Sequence, residues 1–522
     1  MPSFVFLSMP PAVCLNGERL LTNRRSRNPN PTPAVVGSLI RDSFQRIGRE
    51  ARFSQIDLRD EHWGELKRTE YGKVKVPYLK EPLIKTYDSV QLPSPGVRAE
   101  IERSDILLFS GNFTANRNIL KMHIAEARRM NPKAEIWLGG SDASTIIDLG
   151  SWLVRPDVLF TGETIFTLPS YIQMRWGAGK WEGLKIKRNG DVVVIAAKPS
   201  NTFEIKGLSF PLPLYEARPG FLERFSESSE GPFPQGIGVP AAYFYTSLGC
   251  PMDCDFCTAP ELRRYFWSMN LEEIEKQLAH LKSIGINTLL ISDDQVLGGL
   301  LLHPGMGGID CQLNRIRSIM ALINKYGFDI EFSNGLQMSL LLKYWNELAE
   351  SLFENCFRLY VPLERLSRTK ELAKLPSLED TMELLRRLAA LPALGTVKLR
   401  QLTLGLVFGS PGDAEEDLKS TVARCEEVKR VFKGSEIEIA VTPFCCNIVP
   451  GAEMFRDHGG LNLFSVEEHP ELLSYSLVSN HTASLHANIV WDYWLAAMNT
   501  NPAPGYLENF RKTGGVTFAR VT

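Results

Sequence analysis

Three cysteines restrict this chain more than any other feature. Cys250, Cys254 and Cys257 form a Cys-x3-Cys-x2-Cys run inside YFYTSLGCPMDCDFCTAP, residues 243–260. The run follows an apolar, aromatic stretch, residues 241–247, that reads as a strand, so the thiols belong on a loop at a strand end. Gly249 and Pro251 keep the chain turning around the first sulfur, and Phe256 puts a ring beside the last. Thiolates this close suit one small, soft metal centre. Four would fill an iron–sulfur cube, whereas three leave one iron open to a ligand that is not protein. A zinc site usually takes two Cys-x2-Cys pairs, and no second pair follows. Buried structural cysteines rarely gather on a loop flanked by Gly and Pro.

The rest of the chain alternates strands and helices. At 522 residues it is too long for one core and divides into two or three domains. Residues 4–9, 51–58, 105–109, 134–138 and 157–160 are short continuous apolar runs, as expected of a parallel sheet covered on both faces. A long loop is expected at 16–32, and helices at 33–44 and 119–130. Small and polar residues gather just past the strand ends, where such sheets bind ligands. Gly there lets backbone approach a large flat ligand. No GxGxxG follows the first strand, which argues against a dinucleotide. Residues 178–236 read as a connector, with a hairpin at 184–196 turning at Asn189-Gly190. From 237 to 456 the units are strand–helix repeats, with strands at 287–292, 328–332, 357–363, 401–408 and 436–442. Six such units make a partial (β/α)6 barrel with its chemistry at the C-terminal strand ends. Residues 457–522 form an extension in which 484–498 read as an aromatic helix, a lid or brace at the barrel mouth.

The cysteine run resembles the CxxxCxφC signature of the radical S-adenosylmethionine (SAM) family, φ being aromatic. The barrel strands carry further likenesses. LYVPLERLSRTKELAKL (359–375) resembles the family's strand-four pattern, with Arg365 where Ser is usual. GLVFGSPGDAEEDL (405–418) resembles strand five, with Asp413 where Glu is common. VPGAEMF (449–455) resembles the closing Pro-Gly-Thr segment, with Ala452 for Thr. The first part resembles the cobalamin-binding domain fused ahead of many of these enzymes, through residues 110–114, WLGGSDAST (137–145) and DVLFTGETIFTL (157–168). The connector into the barrel is matched by GLSFPLPLYE (207–216). One departure is that Thr164-Ile165 stands where a second Gly-Glu is usual.

The resemblance implies a doubly wound, Rossmann-like cobalamin-binding domain at 1–177, followed by the barrel. It implies a [4Fe–4S] cluster on Cys250, Cys254 and Cys257, with SAM on the open iron. Phe256 would lie near the SAM adenine, and Gly409 and Pro411 would shape its wall. Asp293, Asp294 and Glu364 would reach the SAM amino group, its ribose or the substrate. Ser110, Asn112, Thr114, Asn116, Gly139, Gly140, Ser141, Gly162 and Glu163 would line the corrin. Cobalamin proteins with a histidine ligand show DxHxxG after strand one; Asp60 and His62 follow strand two at another spacing, so the cobalamin would be His-off. Asn112, Asn116 and Arg117 are the candidates beneath it. Cys445, Cys446 and Asp294 are catalytic candidates, the two thiols as hydrogen-atom donors or as plain packing.

The activity so implied is a C-methyltransferase of the EC 2.1.1 type, acting on an unactivated carbon of a small molecule. One SAM methylates reduced cobalamin; another is cleaved to a 5′-deoxyadenosyl radical that takes a hydrogen atom from the substrate. A flavodoxin or ferredoxin would supply electrons. The alternatives are a rearrangement, cyclisation or ring contraction without methyl transfer, a radical SAM enzyme without corrin, and a non-catalytic iron–sulfur or zinc protein. A methylthiotransferase would need a second cysteine triad before the barrel. The net charge of −2 gives no basic surface for nucleic acid. No apolar run reaches membrane-spanning length, and free thiolates fit a reducing, cytoplasmic setting.

Overall fold

The computed structural model describes residues 1–500 except 11, 17–18, 21–30, 60–63, 146–151, 153, 178–183, 198–209, 218–219, 223–239, 263–265, 367–375 and 475–476. His62 and part of the strand-four pattern therefore lie outside the described residues.

The first domain is a parallel sheet of β1 (Ser3–Ser8), β4 (Arg52–Asp57), β7 (Ile106–Ser110), β8 (Glu135–Gly139) and β9 (Val158–Thr161). Taken in chain order these strands stand 2-1-3-4-5 across the sheet, a doubly wound order whose crevice opens between the first and third. Side-chain alternation sorts β1 onto two cores. Phe4 and Phe6 join Phe44 and Trp137 on one face, under helices α1 (Pro31–Arg46) and α4 (Thr164–Trp176). Val5 and Leu7 join Val97, Ile101 and Ile124 on the other, under α2 (Pro95–Arg103) and α3 (Arg117–Met130).

Two features here depart from the sequence reading. A second, antiparallel sheet joins β2 (Val13–Asn16), β3 (Arg19–Leu20), β5 (Gly64–Val74) and β6 (Leu83–Pro93) in the order β3-β2-β6-β5. The loop expected at 16–32 is thus cut short at both ends: β3 lies within it, and α1 begins at Pro31, since proline is tolerated in a first helical turn. The hairpin of β10 (Leu184–Asn189) and β11 (Val192–Ala197) does turn at Gly190, φ +60°, but it is not a free part of the connector. Its second strand pairs in parallel with β9, Val193 opposite Val158, and extends the first sheet.

Residues 210–217 strap this domain to the next. The Ser38 hydroxyl donates to the Leu212 carbonyl, and Leu214 N–H donates to Ala34 O at 3.1 Å. On the other side Tyr215 O–H donates to Tyr243 O at 3.2 Å, and His280 Nε2 meets Pro213 O at 3.1 Å. Six parallel strands follow in sequential order: β12 (Ala241–Phe244), β15 (Thr288–Ile291), β16 (Asp329–Phe332), β17 (Cys356–Glu364), β18 (Gln401–Phe408) and β19 (Glu438–Cys445). This is the partial (β/α)6 barrel. The expected first strand breaks after Phe244. Its continuation, β13 (Ser247–Leu248), turns to pair antiparallel with β14 (Trp267–Ser268). Helices Met338–Lys343 and Trp345–Phe353 fill the stretch before β17. Among the described residues no helix is long and apolar enough to cross a membrane.

The extension is a brace. Its helix, Ala487–Asn499, buries Trp494, which is 1% exposed and donates from Nε1 to Pro443 O at 2.9 Å. Trp491 stacks between Trp494 and Tyr78, at centroid distances of 5.0 and 4.7 Å. Tyr78 O–H donates to Val478 O at 2.8 Å, and Lys85 pairs with the enclosed Glu471 at 2.5 Å. The extension thereby ties the antiparallel sheet to the end of β19. Replacing Trp494 by Ala removes a large buried side chain and its hydrogen bond. The expected loss is about 3–5 kcal/mol, read as a lower urea midpoint for the first unfolding transition; an unmoved midpoint would mean that the extension braces nothing.

Candidate functional site

The cysteine loop is fastened from beneath by two neighbouring carboxylates at the end of β15. Asp293 is fully enclosed. Its Oδ1 accepts Thr246 N–H at 2.8 Å, and its Oδ2 accepts the Thr246 and Ser247 hydroxyls at 2.6 and 2.5 Å. Burial pushes its carboxyl up to about 6 despite these bonds. Asp293 therefore fixes the junction of β12 and β13. Asp294 Oδ2 accepts Gly249 N–H at 3.0 Å, just before Cys250, where φ is +83° and suits only glycine well.

The three thiols form no disulfide and are half-buried. Burial pushes the Cys250 thiol up to about 12, and negative charge on Asp294, Cys254 and Cys257 pushes the same way. Such mutual repulsion is what a cation among them would reverse. Cys257 N–H donates to Cys254 O at 3.0 Å, and Ala259 N–H reaches the Cys257 sulfur at 3.4 Å. Among the described residues no three His, Cys, Asp or Glu side chains are drawn together into a metal-binding geometry. The fit to a [4Fe–4S] cluster therefore rests on donor type and loop position: three thiols, amide support at sulfur, and no fourth cysteine nearby in sequence.

Glu364, at the end of β17, has φ +52°, the one non-glycine residue with positive φ among those described. It is the centre of a tight turn in which Arg365 N–H donates back to Leu363 O at 2.5 Å. Strained backbone of this kind persists only where its surroundings enforce it. The next residue supplies the enforcement, because the Arg365 guanidinium pairs with buried Asp413. Asp413 Oδ2 also accepts Gly409 N–H at 3.0 Å and Ser410 N–H at 2.9 Å. Arg365 and Asp413, the departures from the family pattern on strands four and five, are thus each other's partners. The extension closes over this loop. Asn480 Nδ2 donates to Gly409 O and Ala483 N–H to Pro411 O, each at 2.8 Å.

Cys445 and Cys446 do not both follow the last strand. Cys445 ends β19 within the main core, and Cys446 packs with Ile448, Met454 and Phe256 behind the cysteine loop. Burial raises both thiols, Cys446 to about 12. Enclosure in apolar surroundings is the setting of structural cysteines.

At the C-terminal edge of the first sheet, the loops after β7, β8 and β9 lie side by side. Gly140 has φ +108°, and a Cβ there would come within 2.5 Å of Gly111 O. Gly162, φ +76°, has open space around it and donates its N–H to the Ser144 hydroxyl at 2.9 Å. Gly139, Ser141 and Glu163 are half-buried beside it. The polar side chains of the β7 loop turn mostly to the protein. Ser110 donates to Asn112 Oδ1 at 3.0 Å, and Thr114 to Asp142 Oδ1 at 2.7 Å. Asn116 Oδ1 accepts Ala12 N–H at 2.9 Å. Arg117 is buried against Asp142 at 2.7 Å and Glu467 at 2.8 Å. Asn116 and Arg117 are thus both bonded to the protein. The exposed member of the loop is Phe113, which the sequence reading passed over although it is the one aromatic in SGNFTANRN.

The two edges meet. Gly451, φ +88°, follows β19, and a Cβ on it would lie 2.5 Å from Thr145 Cγ2 of the first domain and 3.7 Å from Thr258 Cγ2, next to Cys257. Met454 N–H also donates to Asp255 O of the cysteine loop at 2.8 Å. The open glycine edge of the parallel sheet and the cysteine loop thus share one junction.

Asp413 offers a pH test. Burial raises its carboxyl to about 6, an effect that Arg365 opposes only in part. The folded chain then takes up this proton before the unfolded chain does, so the associated stability is present at low pH and lost as pH rises through about 6. The stability of the native protein minus that of Asp413→Asn should grow by about 2 kcal/mol from roughly pH 7 to pH 4 in urea titrations. A difference that is flat with pH would contradict this environment.

Residues 244–425 match the family model described as the Radical SAM superfamily. Among curated proteins, the chain is 27% identical over 194 residues to the ribosomal protein uS12 methylthiotransferase RimO of Flavobacterium psychrophilum, a match covering 36% of this chain and 41% of that one. It is 24% identical over 204 residues to RimO of Protochlamydia amoebophila, covering 37% and 39%. The chain thus spans about two-fifths of the length of these curated relatives. Among solved structures, the radical S-adenosylmethionine methyltransferase TsrM from Kitasatospora setae, with cobalamin and [4Fe–4S] cluster bound, has a TM-score of 0.57 at 14% identity, over 95% of this chain and 91% of that one. Residues 244–425 thus carry a domain of the Radical SAM superfamily, which implies a [4Fe–4S] cluster and SAM, and the two-domain fold is similar to that of this methyltransferase.

Proposed function

We propose that this chain is a cobalamin-dependent radical SAM C-methyltransferase acting on an unactivated carbon of a small molecule. The observation that carries the reading is the junction at Gly451, where the edge of the parallel sheet and the cysteine loop come together. A methyl donor held at the first and a radical generator held at the second would face one substrate between them.

Cys250, Cys254 and Cys257 would hold the cluster, whose chemistry with SAM is to supply a 5′-deoxyadenosyl radical. Asp294 orients the loop through Gly249, and Asp413, paired with Arg365, fixes the backbone amides of Gly409 and Ser410. Gly139, Gly140, Ser141, Gly162 and Glu163 would line the corrin, whose chemistry is to carry the methyl group. No histidine is assigned beneath it. A small electron carrier such as a flavodoxin or ferredoxin would reduce the cluster, in a reducing compartment such as the cytoplasm. A methylthiotransferase role, the activity named for the curated relatives, is disfavoured because Cys14 is the sole cysteine before Cys250 and is buried.

The test is anaerobic reconstitution with iron, sulfide and hydroxocobalamin, then incubation with methyl-labelled SAM and candidate small molecules. The native protein should form 5′-deoxyadenosine and a product labelled on carbon. Replacing any of the three loop cysteines by Ala should lower cluster iron and 5′-deoxyadenosine formation by more than about a hundredfold. 5′-Deoxyadenosine with an unlabelled, rearranged product would replace methyl transfer with isomerisation. Undiminished 5′-deoxyadenosine formation from Cys254→Ala would defeat the reading altogether.

A further inference from the structure

The helix Ile309–Lys325 buries Gln312, Ile316, Ile319, Met320 and Ile323 at spacings of three and four residues, the mark of a core-facing stripe. Arg315 lies in that stripe, three residues after Gln312 and four before Ile319. A guanidinium there needs acceptors and an opposite charge. It donates to Met269 O, and among the described residues no carboxylate comes within ion-pair distance of it. The carboxylate whose charge acts on it is Asp293, and both oxygens of Asp293 are already bonded to Thr246 and Ser247. Burial lowers the Arg315 pKa, an effect that Asp293 and Cys311 oppose only in part.

Arg315 lines a cleft of about 380 Å³, open in part to solvent, between this helix and the pair β13–β14. Ser268 of β14 lines it too, and the Ser268 hydroxyl has no partner among the described residues. Gln312 also reaches it, but its Nε2 donates to Met306 O at 2.6 Å. Arg315 and Ser268 are thus the side-chain donors left to a ligand. The remaining walls are largely apolar, with Phe266, Val296, Ile316, Ile319 and Met320.

The cleft lies outside the barrel lumen. Ile316 and Ile319 share a core with Leu289 and Ile291 of β15, whereas Leu290, between those two, packs with Tyr243 and Phe357 inside the barrel. The cleft touches the cluster-bearing segment only through Thr246 and Ser247.

We propose that this cleft binds a short aliphatic monocarboxylate, its two oxygens held by Arg315 and Ser268. One desolvated cation balances one negative charge, and the guanidinium fork matches the two oxygens of a carboxylate. Apolar walls suit a few methylene groups and would leave the second charge of a phosphate dianion unbalanced. The site goes beyond the methyl-transfer reading and does not depend on it.

The experiment is isothermal titration calorimetry of the full-length, cluster-loaded protein with sodium butyrate. The native protein should bind a single equivalent, while butyramide and inorganic phosphate should give no saturable heat. Saturating SAM should leave the butyrate affinity unchanged, because the cleft lies outside the lumen. Ser268→Ala should weaken binding about tenfold and Arg315→Gln about a hundredfold, with far-UV circular dichroism and cluster iron checked in each. A native protein that binds no butyrate would overturn the proposal, as would affinity unchanged in Arg315→Gln. Equal binding of butyramide would remove charge from the recognition, and equal binding of phosphate would make the cleft a general anion site; either result defeats the proposal. Butyrate displaced by SAM would put the carboxylate in the barrel mouth and defeat it too. Should Arg315→Gln fail to fold, Ser268→Ala decides, and native affinity in that variant is the contrary result.

Discussion

The arrangement depends on how closely two backbones approach at Gly451. Thr145, from the first domain, stands where a side chain at 451 would have to be. The positive φ of Gly451 already disfavours any other residue there. Two sheets are thereby pressed together by their C-terminal edges, the edges at which parallel sheets bind ligands. Such an approach cannot be left to one contact. It is held on one side by the strap at residues 210–217, which bonds to α1 and to β12, and on the other by the extension, which bonds to the antiparallel sheet and to the loop after β18. The fit is a consequence of chain ends and connectors more than of either sheet.

Within each edge the loops are held by buried carboxylates. Asp142 gathers Thr114 and Arg117, Asp293 gathers Thr246 and Ser247, and Asp413 gathers Gly409, Ser410 and Arg365. A carboxylate can accept several hydrogen bonds at once, so one buried Asp can order a whole turn. For Asp293 and Asp413 the burial cost is visible in carboxyl groups raised to about 6. The cost is tolerated where loop position matters more than stability.

That use of Asp explains where the sequence could and could not be read. The strand–helix alternation, the six barrel strands and the cysteine loop were legible because they depend on local pattern. Asn189-Gly190 announced its hairpin for the same reason. The pairing of β11 with β9 was not legible, because parallel pairing is non-local. The antiparallel sheet was hidden too. It is assembled from two separate insertions, with Val13 opposite Thr86, and β5 reads GELKRTEYGKV, without a clean apolar alternation. The bonds from Asp293 back to Thr246 and Ser247 were not legible, since sequence gives position along a strand but not the direction of a side chain. Arg365 and Asp413 looked like two unrelated departures until the fold placed them together.

The superfamily match begins at Phe244 and ends at Cys425, so it takes in the cysteine loop, Asp293, Asp294, Arg365 and Asp413, but neither Gly451 nor Thr145. The shared segment contains what a radical generator needs. The parts outside it contain the sheet edge, the strap, the junction glycine and the brace. If the segment common to many such chains makes the radical, then the remainder must decide which substrate meets it and what group is delivered. In this chain the remainder brings the glycine edge of the parallel sheet to a junction with the cysteine loop. It carries a single buried cysteine before the barrel. If a methyl carrier sits at that edge, as proposed, the choice of reaction lies in the contact between domains instead of in the barrel.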